Sequence, residues 1–367
     1  MALFCKLPSG GGLSKTKPVT SYDLRKSVAY GDIIHELTTS YYGYPVGSAY
    51  YEEKDGQGTL YVPTFESGSC RIKIFKISAT GILEGESIYV QGVPGGSLLT
   101  IRGDKNTNVL VMCNTNNTSS VLYCINKSTH EVTTIDAPRY GGEGLAFYGA
   151  TTKDGVIYAS IWCNLNQPYL YRYKETGELI GYFENNGPKA LFGNSPVQFD
   201  DDGNIYMSCN GNGSNTSSTA LLSVTREGTL RWRKTIADLN LKEGTMLLNV
   251  AGDGTILCFQ RYTPFTLIKM NRDGEVMNSN NSFFDTTATY SMSARNVDGK
   301  PLFHVQEIGG GKCYLCDDEL TKIETFEITT ADGKATSVFL NDKVITARYN
   351  GKLIVETRKP YAEYLKR

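Results

Sequence analysis

Five consecutive residues, Asp200-Asp201-Asp202-Gly203-Asn204, set three carboxylates and an amide oxygen side by side. A hard cation such as Ca²⁺ requires several such oxygens converging. The run lacks the distant bidentate glutamate of a calcium-binding loop, and an acidic Asp-Gly pair is also the ordinary tip of a hairpin. Histidine offers less. His35, His130 and His304 are the only three, widely separated and none beside a Ser or Cys nucleophile pattern, so an acyl-transfer triad has no visible base. Cys313-Tyr314-Leu315-Cys316 is a C-x-x-C with no second pair at metal spacing, and in a strand its two thiols point to opposite faces. Glu143, Asp154, Glu243 and Asp253 recur near the starts of repeated units; inner strands could gather such carboxylates around a metal, and a repeated turn would place them in the same way. Gly10-Gly11-Gly12 and Gly309-Gly310-Gly311 lack the lysine and strand–helix setting of a phosphate loop. These residues assign no catalytic group, no metal-ligand set and no cofactor.

What would position them is a repeat. Val197–Ile236 contains β-rich runs separated by Asp202-Gly203, a Ser/Thr/Asn-rich gap, and Arg226-Glu227-Gly228. Four short strands and three turns make one antiparallel sheet of about 45 residues, the size of a propeller blade. The turn-plus-strand element recurs from Asp55-Gly56 through Asp104, Asp154, Asp202, Asp253 and Asp298 to Asp342, at intervals of 49, 50, 48, 51, 45 and 44 residues. A second element, strand–polar turn–strand, keeps the same phase at Lys127-Ser128-Thr129, Glu175-Thr176-Gly177 and Arg272-Asp273-Gly274. The expectation is an all-β, seven-bladed β-propeller of four-stranded antiparallel blades. The run around Val28–Leu37 is expected to supply the strand that the last blade lacks, which removes an open edge. Residues 1–23, rich in Gly, Ser, Lys and Pro, read as a flexible N-terminal arm, and residues 24–367 as the propeller domain.

A net charge of −1 gives nucleic acid no basic footprint, and no apolar run is long enough for a membrane helix or a secretory signal. The expected place of synthesis is the cytoplasm. The nine cysteines are scattered, and Cys113, Cys163, Cys209 and Cys258 fall where a blade buries a small apolar residue. The 24 tyrosines exceed what alternating core positions need. Tyr41, Tyr42, Tyr44, Tyr169 and Tyr171 are therefore candidates for a protein or glycan contact, although packing between blades accounts for many of the tyrosines. Asn116, Asn117, Asn212 and Asn215 lie in long polar stretches and join the same candidate set.

The DG-x-(I/L)-Y turns, best seen at Gly203, Ile205 and Tyr206, and the G-x-L-x-W of Gly228, Leu230 and Trp232 resemble the PQQ-like, NHL-like and lactonase-like propeller repeats. The resemblance implies the fold and no particular activity. With only Trp162 and Trp232 and no adjacent cysteines, the chain departs from quinone dehydrogenases. An arm ahead of a compact β head resembles bacteriophage tail and receptor-binding proteins. The leading expectation is a non-catalytic interaction or structural module, a phage tail or virion component. The alternatives are a metal-dependent, lactonase-like hydrolase or lyase with its site in the central channel, and a cytoplasmic scaffold.

Overall fold

The computed structural model describes residues 33–38, 44–45, 47–66, 69–78, 81–93, 99–114, 121–141, 143–162, 168–184, 197–208, 210–211, 219–241, 244–260, 266–282, 289–297, 300–308, 312–316, 319–327, 335–340, 343–348 and 352–357. Among these residues the strands form seven sheets of four or more strands and one two-stranded ribbon. The chain divides into two compact units, Met1–Ile101 with Ile328–Arg367, and Arg102–Glu327.

In the first unit one sheet is built on the long hairpin Gln57–Glu66 and Ser69–Ser78. The other joins the two ends of the chain. Ile33–Thr38 pairs antiparallel with Lys352–Thr357, which pairs with Lys343–Arg348 and then Ala335–Phe339. The N-terminal strand therefore completes the C-terminal sheet. A shared core, including Leu60, Val62, Phe75, Ile345, Leu353 and Val355, packs the two sheets together.

The second unit repeats one design. Its clearest copies are the sheet of Ala146–Lys153, Val156–Trp162, Pro168–Lys174 and Leu179–Glu184 (the third sheet), the sheet of Gln198–Phe199, Ile205–Ser208, Thr219–Val224 and Leu230–Thr235 (the fourth), and the sheet whose main strands are Gly244–Val250, Ile256–Gln260, Leu267–Met270 and Val276–Asn280 (the fifth). Within Val197–Ile236 four strands form one sheet, as its turns imply, while Asn210–Gly211 pairs with Gly244–Val250 of the next. The middle strands are covered on both faces because each sheet is sandwiched: Ile205–Ser208 and Thr219–Val224 are buried throughout.

The hairpins follow two recipes. Asp154-Gly155 is a two-residue loop with both residues at positive φ (48° and 76°), the type I′ geometry that matches strand twist. Gly228 and Gly274 instead close three-residue loops. Gly228 N donates to Thr225 O (2.9 Å) and Gly274 N to Asn271 O (3.0 Å), at φ 95° and 80°. His130 occupies the corresponding left-handed place after Val121–Asn126, at φ 60°, its N–H donating to Asn126 O (3.0 Å). That position explains this histidine as a turn residue.

These turns also couple neighbouring sheets. A Cβ on Gly228 would lie 2.5 Å from the Phe183 ring of the third sheet, and one on Gly274 would lie 2.7 Å from the Trp232 ring of the fourth. Trp232 is fixed in turn, its indole N–H donating to Arg272 O (2.9 Å). A large apolar residue from one outer strand thus sits on the bare glycine of the next sheet's outer turn.

Candidate functional site

The acidic run at Asp200 is buried in such an inter-sheet clasp. Asp200, 2 % exposed, accepts hydrogen bonds at 2.8 Å from Asn204 N, Asn204 Nδ2 and the Tyr206 hydroxyl. Arg272, from the fifth sheet's outer turn, reaches within 3.6 Å of Asp200 Oδ2 and pairs with Asp202. Arg231 Nη1 donates to the Tyr206 hydroxyl (3.0 Å) and to Ser223 Oγ (3.1 Å). Burial first, then the Asp200 hydrogen bond, pushes the Tyr206 phenol up to about 12, so it stays neutral and donates. Asp200 and Asp202 meet on the Arg272 guanidinium, Asp200 also accepts from Tyr206, and Asp201 turns away to lie against Gly252. The oxygens of Asp200 and Asp202 are occupied by protein donors and a guanidinium.

The other acidic candidates have the same fate where they are described. Asp154 accepts from Asn106 Nδ2 (3.0 Å), its N–H donates to Asp104 Oδ2 (2.9 Å), and Arg226 approaches its carboxylate at 4.0 Å. Asp253 caps its own turn by accepting from Thr255 N (2.8 Å). Both are hairpin-tip residues rather than a ring on inner strands. Glu143 lies in the two-stranded ribbon, and Glu243 is outside the described residues. Among the described residues no group of three or more His, Cys, Asp and Glu could hold a metal ion. Cys113, Cys258 and Cys316 are buried, and desolvation pushes the Cys113 thiol up to about 12, away from nucleophilic chemistry. Cys163, Cys209 and both glycine runs fall outside the described residues, as do the side chains of His35, His304 and Cys313.

The predicted contact residues divide in two. Tyr169 and Tyr171 are described, 5 % and 2 % exposed, within the core that the third and fourth sheets share with the strands Val109–Asn114 and Val121–Asn126. Tyr171 packs its ring against Tyr173 and Tyr182. They are packing residues, and a partner has no access to them in this arrangement. Tyr44 is placed only as a strand residue opposite Phe65, while Tyr41, Tyr42, Asn116, Asn117, Asn212 and Asn215 lie outside the described residues.

Missing from that set is the outer surface. Leu179 (48 % exposed), Leu230 (57 %) and Val276 (47 %) each stand two residues after the turn glycines Gly177, Gly228 and Gly274, at the same ladder place in three successive outer strands. Ile180, Tyr182 and Met277 extend this apolar exposure. An isolated exposed leucine needs no explanation, but recurrence in phase on three edge strands does. The signal was present in the sequence as G-x-L at Gly177 and Gly228 and G-x-V at Gly274.

Solved structures share the architecture. Virginiamycin B lyase from Staphylococcus aureus aligns with a TM-score of 0.61 at 14 % identity, over 88 % of this chain and 98 % of its own. The fold is a β-propeller. BBS1N in complex with ARL6DN (TM-score 0.54, 10 % identity, 86 % and 92 % covered) and the Dos1 propeller (0.52, 12 %, 82 % and 74 %) align similarly. At these identities the propeller shares architecture with a lyase and with a protein-bound module alike. No family model and no curated protein matches the sequence. Among the described residues no helix is long and apolar enough to cross a membrane.

Proposed function

We propose that residues 24–367 form one closed, seven-bladed ring whose role is non-catalytic: it binds a protein partner along its outer strands. The observation that carries this reading is the in-phase exposure of Leu179, Leu230 and Val276. The acidic side chains that could have done chemistry at Asp154, Asp200 and Asp202 are instead engaged between sheets. The complex of BBS1N with ARL6DN supports it, since a chain of similar fold is there seen with a protein partner. The narrower placement, in a phage tail or other virion anchored by residues 1–23 with a surface glycan as second ligand, is proposed from the sequence of that segment and of the Asn-rich stretches.

Burying a leucine or valine side chain contributes about 1.5–3 kcal/mol. The combined variant Leu179→Ser, Leu230→Ser, Val276→Ser is therefore expected to weaken partner binding at least about 100-fold with little change in the melting temperature. Affinity capture from the native host with wild type and variant in parallel is the test. A partner recovered equally by both proteins refutes the outer strands as its site.

A further inference from the structure

The outer strand of the third sheet, Leu179–Glu184, differs from that of the fourth. It ends its sheet, and beyond its pairing with Pro168–Lys174 it has no strand partner among the described residues. Its sequence, LIGYFE, carries neither Lys, Arg nor Pro, whereas the next outer strand, LRWRKT, carries three cations. Charges and prolines are what ordinarily keep a sheet edge from accepting another strand.

The same edge carries an unspent cation. Arg172 is the ladder partner of Gly181, and one of its terminal nitrogens lies 3.5 Å from where a Gly181 Cβ would stand. The guanidinium therefore occupies the side-chain space that Gly181 leaves empty and reaches the outer strand. In the fourth sheet the equivalent pair is Ser223 and Trp232, a small residue beneath a large one. Arg172 is held by the Phe183 ring, 4.5 Å from Cζ to centroid, while its buried Nε has no hydrogen-bond partner. Among the described residues no carboxylate pairs with it, and a half-buried guanidinium without an acceptor is incomplete.

Resting on the reading of the outer strands as a partner surface, we propose that Leu179–Glu184 accepts an extended segment of a partner protein carrying one carboxylate between apolar residues. The carboxylate binds Arg172 over Gly181, and the apolar side chains cover Leu179, Ile180 and Tyr182. The main chain of the segment adds a strand to the sheet. A single acid is specified because Glu178 and Glu184 flank the place, and the Lys174 ammonium is already 2.8 Å from Glu178.

The test uses the full chain and three fluorescent peptides, acetyl-Thr-Val-Thr-Val-X-Val-Thr-Val-amide with X as Asp, Asn or Lys, read by anisotropy. The Asp peptide is expected to bind at least 10-fold more tightly than the Lys peptide. Arg172→Gln is expected to bring the three within 2-fold, and Gly181→Trp to block all of them. Equal binding of the Asp and Lys peptides to wild type, discrimination that survives Arg172→Gln, or no binding by any peptide would overturn the proposal. If binding is equal yet lost in Leu179→Ser/Ile180→Ser, the apolar outer strand stands and the Arg172 anchor falls. Sedimentation of the free protein supplies the last arm: a dimer abolished by Gly181→Trp would assign this edge to a second copy of the chain.

Discussion

Gly274→Ala is expected to destabilise the protein by about 2–5 kcal/mol, through two terms of known origin. An alanine at φ 80° carries the left-handed penalty of about 1–2 kcal/mol. Its methyl carbon would also fall 2.7 Å from the Trp232 ring, and overpacking of this kind costs about 1–3 kcal/mol. The ring cannot simply retreat, because its N–H is tied to Arg272 O within the same turn. Gly56→Ala is the control: φ is similar at 76°, but nothing lies within 4 Å of the added carbon, so only the backbone penalty is expected. Urea unfolding of the two variants against wild type measures the difference. Equal losses would show that the glycine serves its own hairpin and not the packing of one sheet on the next.

Asp200→Ala is expected to cost about 3–5 kcal/mol, the usual consequence of removing one side of a buried charged network. The carboxylate accepts from Asn204 N, Asn204 Nδ2 and the Tyr206 hydroxyl and faces Arg272, so its loss leaves three donors without their acceptor and Arg272 with Asp202 alone. Asp200→Asn keeps one acceptor oxygen and is expected to lose less than half as much. A second readout follows from Tyr206, held up to about 12 first by burial and then by Asp200. Without the carboxylate the phenol is expected to ionise at lower pH in a spectrophotometric titration. A loss below about 1 kcal/mol with no movement of that titration would mean that the clasp does not hold the two sheets together.

The architecture was legible because it depends on local chemistry repeated at a fixed interval. Asp-Gly pairs and x-x-Gly turns require positive φ, and their even spacing marks each hairpin without knowledge of its neighbours. The strand Ile33–Thr38 was legible for a different reason, since the final sheet would otherwise lack its outer member. The site was less legible because side-chain roles are set across the gap between sheets. Asp200 and Asp202 look like a cation cluster in sequence, and only Arg272, 70 residues beyond Asp202, shows them as one half of a clasp. Tyr169 and Tyr171 look like contact residues because alternation leaves a strand two faces. In a stack of sheets both faces are interior, so the surplus aromatics fill the core. Arg172 was invisible for the same reason: its character comes from Gly181, its partner across the ladder.

We propose that the outer strands, not the hairpin tips, meet a partner. Site-specific photo-cross-linking in the native host tests it most directly, with a photoreactive phenylalanine placed in turn at Leu179, Leu230 and Met277, and at the exposed tips Asp55 and Asp253 as controls. One discrete protein adduct is expected at all three outer-strand positions and none at the two tips. Adducts at Asp55 or Asp253, with Leu179, Leu230 and Met277 silent, would contradict it.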